Sequence, residues 1–151
     1  MPETAQRKRR PGSLVRTVLA ALAGVILWMV GFLVLARILV LLWPAYALTA
    51  RIWTRTGAYT FTPPMSVLNL TFWIVAEIAA GWLTAVLARR PQAVWSLAVF
   101  VMGYLCFLHL YYAWHQFPWW YDLVVALTSG PAVLLGGKLG ARPDPTGTVV
   151  G

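Results

Sequence analysis

A few residues carry most of the chemistry this sequence offers. Glu77 is one of only four acidic residues among 151. It interrupts an apolar run over 65–88. A charged carboxylate inside hydrocarbon is costly, and residues placed there tend to serve function. Two readings stand: a carboxyl that takes up and releases a proton, or a protonated one that hydrogen-bonds a neighbouring helix. Arg37 interrupts the apolar run over 17–43 in the same way. It either pairs with Glu77 or snorkels toward the nearer surface. His109, His115 and Asp122 form a third group, with Trp119 and Trp120 beside them. Between 109 and 122, seven of fourteen residues are Tyr, Trp or Phe. That density suits an interfacial aromatic belt, and it also suits a binding site.

Other chemistries find little support. The two histidines are six residues apart and do not share a helix face, so a haem held by both is not expected. The set His109, His115, Asp122 and Glu77 has no recognised zinc spacing. There is no Gly-rich phosphate loop, no nucleophile elbow and no His-Glu-x-x-His. The single Cys106 cannot close an internal disulfide. No catalytic residue, cofactor or metal is assigned.

The elements that position these residues follow from composition. Hydrophobic residues make up 60% of the chain and charged residues only 11%, with a mean hydropathy of +0.72. A soluble domain holds about 45–50% apolar and about 25% charged residues. The sequence predicts an all-α integral membrane bundle of four transmembrane helices over 17–43, 65–88, 93–113 and 119–140. Each is near the roughly 20 apolar residues a span requires. Period-2 alternation is absent, which excludes a membrane barrel. The first apolar stretch exceeds the 7–15 residues or so of a signal peptide, so it is expected to be a retained span. Residues 1–13 read as a basic arm, 14–142 as the membrane domain and 143–151 as a mobile tail. The connection 44–64 carries Tyr46, Ile52 and Trp53 with Arg51 and Arg55. It reads either as a short segment at headgroup level or as an irregular loop.

Charge sets the expected orientation. With both termini inside, the cytoplasmic face holds Arg7, Lys8, Arg9, Arg10, Arg16, Arg89, Arg90, Lys138 and Arg142, and the outer face holds Arg51 and Arg55. This satisfies the positive-inside rule. The formal charge of +8 is therefore read as a topology signal and not as nucleic-acid binding. The basic arm is a candidate contact for anionic lipid.

Helix faces point the same way. On the second span, Asn69, Trp73, Gly81, Thr84, Ala85 and Ala88 share the Glu77 side. Leu68, Phe72, Val75, Ala79, Trp82 and Val86 form the opposite, lipid-facing side. Gly81 and Ala85 let another helix approach closely. The fourth span carries Thr128, Ala132, Gly136 and Gly140 in an unbroken ladder, flanked by Ser129, Val133 and Gly137. Its Pro131 should kink the helix and free the Leu127 carbonyl for Ser129, Thr128 or a neighbouring helix. On the first span, Gly24, Trp28 and Gly31 face inward and Arg37 faces lipid. On the third, His109 falls with Ala98, Met102, Leu105 and Cys106. The segment 86–91 echoes 138–143, which reads either as a duplicated two-helix hairpin or as two similar helix ends.

The stretches Gly81-Trp-Leu-Thr-Ala-Val-Leu-Ala-Arg-Arg-Pro91, Pro118-Trp-Trp-Tyr121 and Pro131-x-x-x-x-Gly136-Gly137-x-Leu139 resemble small four-helix inner-membrane proteins of bacteria, whose function is unknown. The resemblance covers residues 75–142 and implies a bacterial inner-membrane location. The segment Trp73-Ile-Val-Ala-Glu-Ile-Ala-Ala-Gly81 also resembles the first helix of small multidrug-resistance transporters, which carries their proton-coupled Glu. Here the Glu falls on the second span. The leading expectation is a non-enzymatic accessory or assembly protein that packs against a membrane-protein partner or a second copy of itself. The alternatives are a small proton-coupled transporter using Glu77, and a membrane enzyme or quinone- or lipid-binding protein with its site at the His/aromatic cluster.

Overall fold

Proline sets where the helices begin. Its fixed φ suits a first helical turn, and its ring drives the preceding residue into extended backbone. Trp43, Thr62 and Arg90 are all extended, at φ/ψ of −127°/97°, −70°/158° and −147°/130°. After them start α2 (Pro44–Thr56), α3 (Pro63–Ala88) and α4 (Pro91–Phe107). The first helix, α1 (Gly12–Leu42), stops one residue short of Trp43. Beyond α4 the chain continues as a π-helical segment, Leu108–Tyr112, and α5 (Trp119–Gly140) follows Pro118. The computed structural model describes residues 12–112 and 116–141, and these hold helices and connections but no strand. Arg7, Lys8, Arg9, Arg10, His115, Arg142 and the tail lie outside them.

Three helices, Leu14–Leu42, Pro63–Ala88 and Trp119–Gly140, are long and apolar enough to cross a membrane, and α4 alone is shorter. The all-helical chain is thus consistent with a membrane protein. The 44–64 connection is mostly helix. α2 buries Tyr46 and exposes Arg51, Arg55 and Leu48. Gly57, at φ 70°, ends it with an N–H donated to the Trp53 carbonyl at 2.8 Å.

α3 occupies the centre. It runs antiparallel to α1: Gly24 lies against Thr84 and the Ala80 carbonyl, and Gly31 against Ala76. Near the end of α3 the Arg16 Nε–H donates to the Leu87 carbonyl at 2.8 Å, which satisfies one of the carbonyls a helix terminus leaves unpaired. α3 runs parallel to α5, and residues 52 apart meet at successive levels. Asn69 reaches Tyr121, Glu77 faces Ser129, and Gly81 lies against Val133. α4 runs antiparallel to α5, with Val94 on Gly137 and Met102 on Gly130. α1 and α4 run parallel and also keep one spacing, Ala20 with Ala93 and Gly24 with Leu97. The echo of 86–91 in 138–143 has the same 52-residue spacing as the α3–α5 contact. The bundle is thus two antiparallel hairpins, α1–α3 and α4–α5, packed with α1 beside α4 and α3 beside α5, and α2 is added to the first.

The small-residue ladder makes this register tight. A Cβ on Gly81 would collide with the Val133 carbonyl, and one on Gly136 with the Ile78 carbonyl. Side chains of any size would hold the two backbones apart. One expectation about α5 needs correcting. The Thr128 and Ser129 hydroxyls do not turn to the Leu127 carbonyl, although Pro131 removes its helical donor. They donate one turn back, to Val124 and Val125, at 2.8 and 2.7 Å. These are the bonds such side chains make on their own helix.

Gly81→Ala and Gly136→Ala should each destabilise the fold by about 1–3 kcal/mol, the usual cost of overpacking. Gly103, which has open space around its Cβ position, should accept Ala with no loss of stability. Thermal melts in one detergent compare the three, and equal melting temperatures would contradict the α3–α5 packing.

Candidate functional site

Buried polar groups collect at two levels of the bundle. The first is centred on Glu77, which is 0% exposed. One helical turn earlier, Trp73 donates its indole N–H to Glu77 Oε1 at 2.9 Å. Trp28 packs edge-on against Trp73, with ring centroids 5.7 Å apart. The other carboxyl oxygen, Oε2, has no hydrogen-bond partner. Ser129 faces the carboxyl from α5, but its single proton goes to the Val125 carbonyl. A serine whose proton is committed can only accept from a second group. The geometry therefore fits a carboxylic acid whose O–H is offered to Ser129. Arg37 is not the partner: it is exposed, and no ion pair joins it to Glu77 among the described residues. Glu77 is buried between α1, α3 and α5 and lines neither of the two cavities described below, although its partner Trp73 lines one of them.

The second level lies where α5 begins. The π-helical segment carries His109 at its second position. A π turn holds more residues than an α turn and re-aims side chains, and such turns recur at functional sites. His109 is 6% exposed, and its Nδ1–H donates to Asp122 Oδ1 at 2.5 Å. Asp122 sits in the first turn of α5, where a carboxylate also complements the helix dipole. Phe117 and Tyr121 lie against the imidazole, at 5.2 and 6.3 Å between ring centroids. Tyr59 and Phe61, carried back over the bundle by the turn at Gly57, extend this aromatic layer to Trp53 and Tyr46.

This layer caps a cavity of about 400 Å³ between α1, α2, α3, the π-helical segment and α5. Its polar wall is mostly made of donors. The Tyr46 hydroxyl donates to Asn69 Oδ1 at 3.4 Å, and Asn69 Nδ2 donates to the Tyr121 oxygen at 3.2 Å. The Tyr121 proton then has no acceptor among the described residues. The Trp53 indole N–H is buried without a partner. Arg37 stands at the cavity edge. The one carboxylate here, Asp122, is engaged by His109. Burial raises the Tyr46 and Tyr59 hydroxyls above their ordinary pKa, so both remain neutral donors. The Tyr59 hydroxyl bonds Ser66 Oγ at 2.5 Å, and Ser66 in turn donates to the Thr62 carbonyl at 3.0 Å.

The residues singled out by sequence thus separate. His109 and Asp122 come together, and Arg37 lies at the same cavity. Trp120 packs on Tyr121, while Trp119 is 76% exposed and turned away. Gly81, Ala85, Ala132, Gly136 and Gly140 are buried in the helix contacts, and Thr128 is half-buried. His115 lies outside the described residues. No three His, Cys, Asp or Glu side chains gather among the described residues. Asn69, Tyr46, Trp53 and Tyr121 were not predicted as site residues. The signal for them was available in part: Gly57 and Pro63-Pro64 bracket Tyr59 and Phe61, which forces that stretch back onto the bundle. Comparison with known protein families, curated proteins and solved structures gives no match to this chain.

Two outcomes test these assignments. Glu77→Gln keeps an oxygen for Trp73 and supplies an N–H for Ser129, so its melting temperature should equal or exceed that of the wild type. Glu77→Ala leaves a cavity and an unpaired indole, and should cost about 2–4 kcal/mol. A Gln variant as unstable as the Ala variant would contradict a neutral carboxyl. Asp122→Ala strands the buried imidazole N–H and should cost about 1–3 kcal/mol, read from the same melts.

Proposed function

We propose that this chain is a four-span membrane protein that binds an amphipathic molecule in the donor-lined cavity at the His109 end. Of the three expectations from sequence, this is the quinone- or lipid-binding one. The accessory-protein expectation drew on the small-residue faces of α3 and α5, and those faces are used against each other within the chain. The transporter expectation needs a path to Glu77, and the carboxyl is 0% exposed, which favours the other cavity as the place for a ligand. The observation that carries the binding reading is the buried, unpartnered indole N–H of Trp53. It shares its cavity with the Tyr121 hydroxyl and Arg37. A buried donor without an acceptor costs about 1–3 kcal/mol; the N–H lies just behind the cavity surface, so a ligand toward which the indole turns would recover that loss. Leu33, a cavity wall residue, is 63% exposed, which gives an apolar tail a way out toward lipid. The ligand class is an apolar chain bearing an acceptor-only head, such as a carboxylate or a pair of quinone carbonyls. No reaction is assigned to the His109–Asp122 pair.

The membrane placement has its own support. α4 and the π-helical segment together run from Pro91 to Tyr112, near the roughly 20 residues needed for a fourth span. Arg16, Arg89, Arg90 and Lys138 lie at one end of the bundle and Arg51 and Arg55 at the other. That division favours both termini in the cytoplasm. The bacterial inner membrane is the location implied by the resemblance of residues 75–142 to small bacterial membrane proteins, and it is part of this proposal.

Thr54 and Gln92 are exposed at opposite ends. In a Cys106→Ser background, Thr54→Cys should react with an impermeant maleimide on intact cells and Gln92→Cys only after permeabilisation. The reverse pattern would invert the topology. Oleate and decylubiquinone, titrated separately into detergent-solubilised protein, probe the cavity. At least one should bind, and Trp53→Phe should weaken it about five- to tenfold, the worth of one hydrogen bond. Failure of both probes, or an unchanged affinity in Trp53→Phe, would overturn the binding reading.

A further inference from the structure

The opposite end of the bundle carries a second concavity. A groove of about 950 Å³ lies between α4 and α5, bounded above by the α3–α4 turn. Its walls are apolar, with Val94 and Trp95 on one side and Leu135 on the other. Trp95 is 58% exposed and Leu135 48%. Its rim is cationic, made by Arg89, Arg90 and Lys138. All three are exposed.

We propose that this groove holds an anionic glycerophospholipid, with its phosphate at the three cations and an acyl chain along the walls. Charge argues for an anionic occupant. The two acidic residues among the described ones are both elsewhere, Glu77 in the core and Asp122 with His109. Among the described residues nothing at this end therefore neutralises the rim. Arg16, the nearest further cation on α1, is engaged with the Leu87 carbonyl. Two arginines and a lysine offer the forked and point donors that phosphate oxygens accept. Basic pockets between membrane helices on the cytoplasmic side bind anionic head groups for the same reason.

Depth argues for a lipid and not a free phosphate. Along α5 the groove extends from Pro131 to Ala141. At about 1.5 Å per residue that is about 15 Å, one leaflet of a hydrocarbon core about 30 Å thick. A free anion would use the rim and leave those apolar walls unfilled. The turn is also shaped for this. Arg89 takes the left-handed conformation at φ 54° and Arg90 is extended, so adjacent arginines are displayed side by side at the groove mouth. The groove lies at the opposite end from the donor-lined cavity and does not depend on what that cavity holds.

The test uses the full chain in phosphatidylcholine nanodiscs doped with phosphatidylglycerol or phosphatidylcholine whose acyl chains are brominated. Bromine quenches tryptophan at contact, and the Trp95 share is the part lost in Trp95→Phe. Brominated phosphatidylglycerol should quench Trp95 more strongly than the brominated phosphatidylcholine at equal content. Lys138→Gln alone should weaken that preference about fivefold, and Arg89→Gln with Arg90→Gln should abolish it. Far-ultraviolet circular dichroism confirms that each variant is folded, and the single Lys138→Gln change keeps the test valid if the double variant is not. Equal quenching by the two lipids, or a preference untouched by Lys138→Gln, would overturn the proposal. Exclusion of both lipids from Trp95, with crosslinking of two chains through this face, would assign the groove to a second copy and overturn it too.

Discussion

The rest of the molecule depends on how closely α3 and α5 approach. Between helices in lipid there is little hydrophobic driving force, because acyl chains are as apolar as leucine. Van der Waals contact and shared polar groups must do the holding. Gly81 and Gly136 remove the side chains that would keep the two backbones apart, and each lies directly on the main chain of the other helix. This contact fixes a level-by-level register. Asn69 meets Tyr121 and Glu77 meets Ser129 because Gly81 meets Val133. A change of one turn in the packing would separate every one of those pairs.

That register also governs where unpaired polarity accumulates. Most hydroxyls on these helices bond one turn back on their own helix: Thr54, Thr56, Ser66, Thr71, Thr128 and Ser129 all do so. They ask nothing of a neighbour. What remains is a short set of groups that cannot satisfy themselves locally, chiefly the carboxyl of Glu77 and the indoles of Trp28 and Trp53. An unpaired buried group is costly in a low-dielectric interior. The three do not carry the same meaning. Glu77 faces Ser129 across the α3–α5 contact. Trp28 is enclosed by Trp73 and Tyr104. Trp53 lines a cavity, with its N–H just behind the surface.

The sequence made the helices legible because apolar length and proline leave little choice. Pro44, Pro63 and Pro91 mark three helix starts directly. The Glu77 face was also legible from 100° spacing, since Gly81, Thr84, Ala85 and Ala88 are all buried with it. Two features were not. Leu70, Ala76 and Ala80 are buried as well, because α3 is covered by α1, α4 and α5 and has more than one inner face. His109 was read on an ideal helix, where it would share a side with Met102. The π-helical turn changes the angle per residue there, and Met102 is 42% exposed while His109 is buried. The cavity was the least legible part. It draws on side chains from five segments, so no local pattern announces it, and Arg37 read from α1 alone pointed only to lipid.

The two ends of the bundle ask for different things, and the difference follows from where charge sits. At the His109 end the donors are neutral phenols and an indole under an aromatic layer, with Arg37 at the edge and the one carboxylate already engaged. Such a surface favours selection by hydrogen-bond complementarity in a volume of about 400 Å³. At the other end, charge lies at an open rim over a long apolar groove, which selects by sign and by chain length and has no donors deep inside. The two hairpins lie side by side, so each end of the bundle is built from different helix termini and the two ends need not be alike. The added helix α2 enlarges this inequality: it brings Tyr46 and Trp53 into the lining at one end. One end thus becomes a donor-lined cavity and the other a cation-rimmed apolar groove.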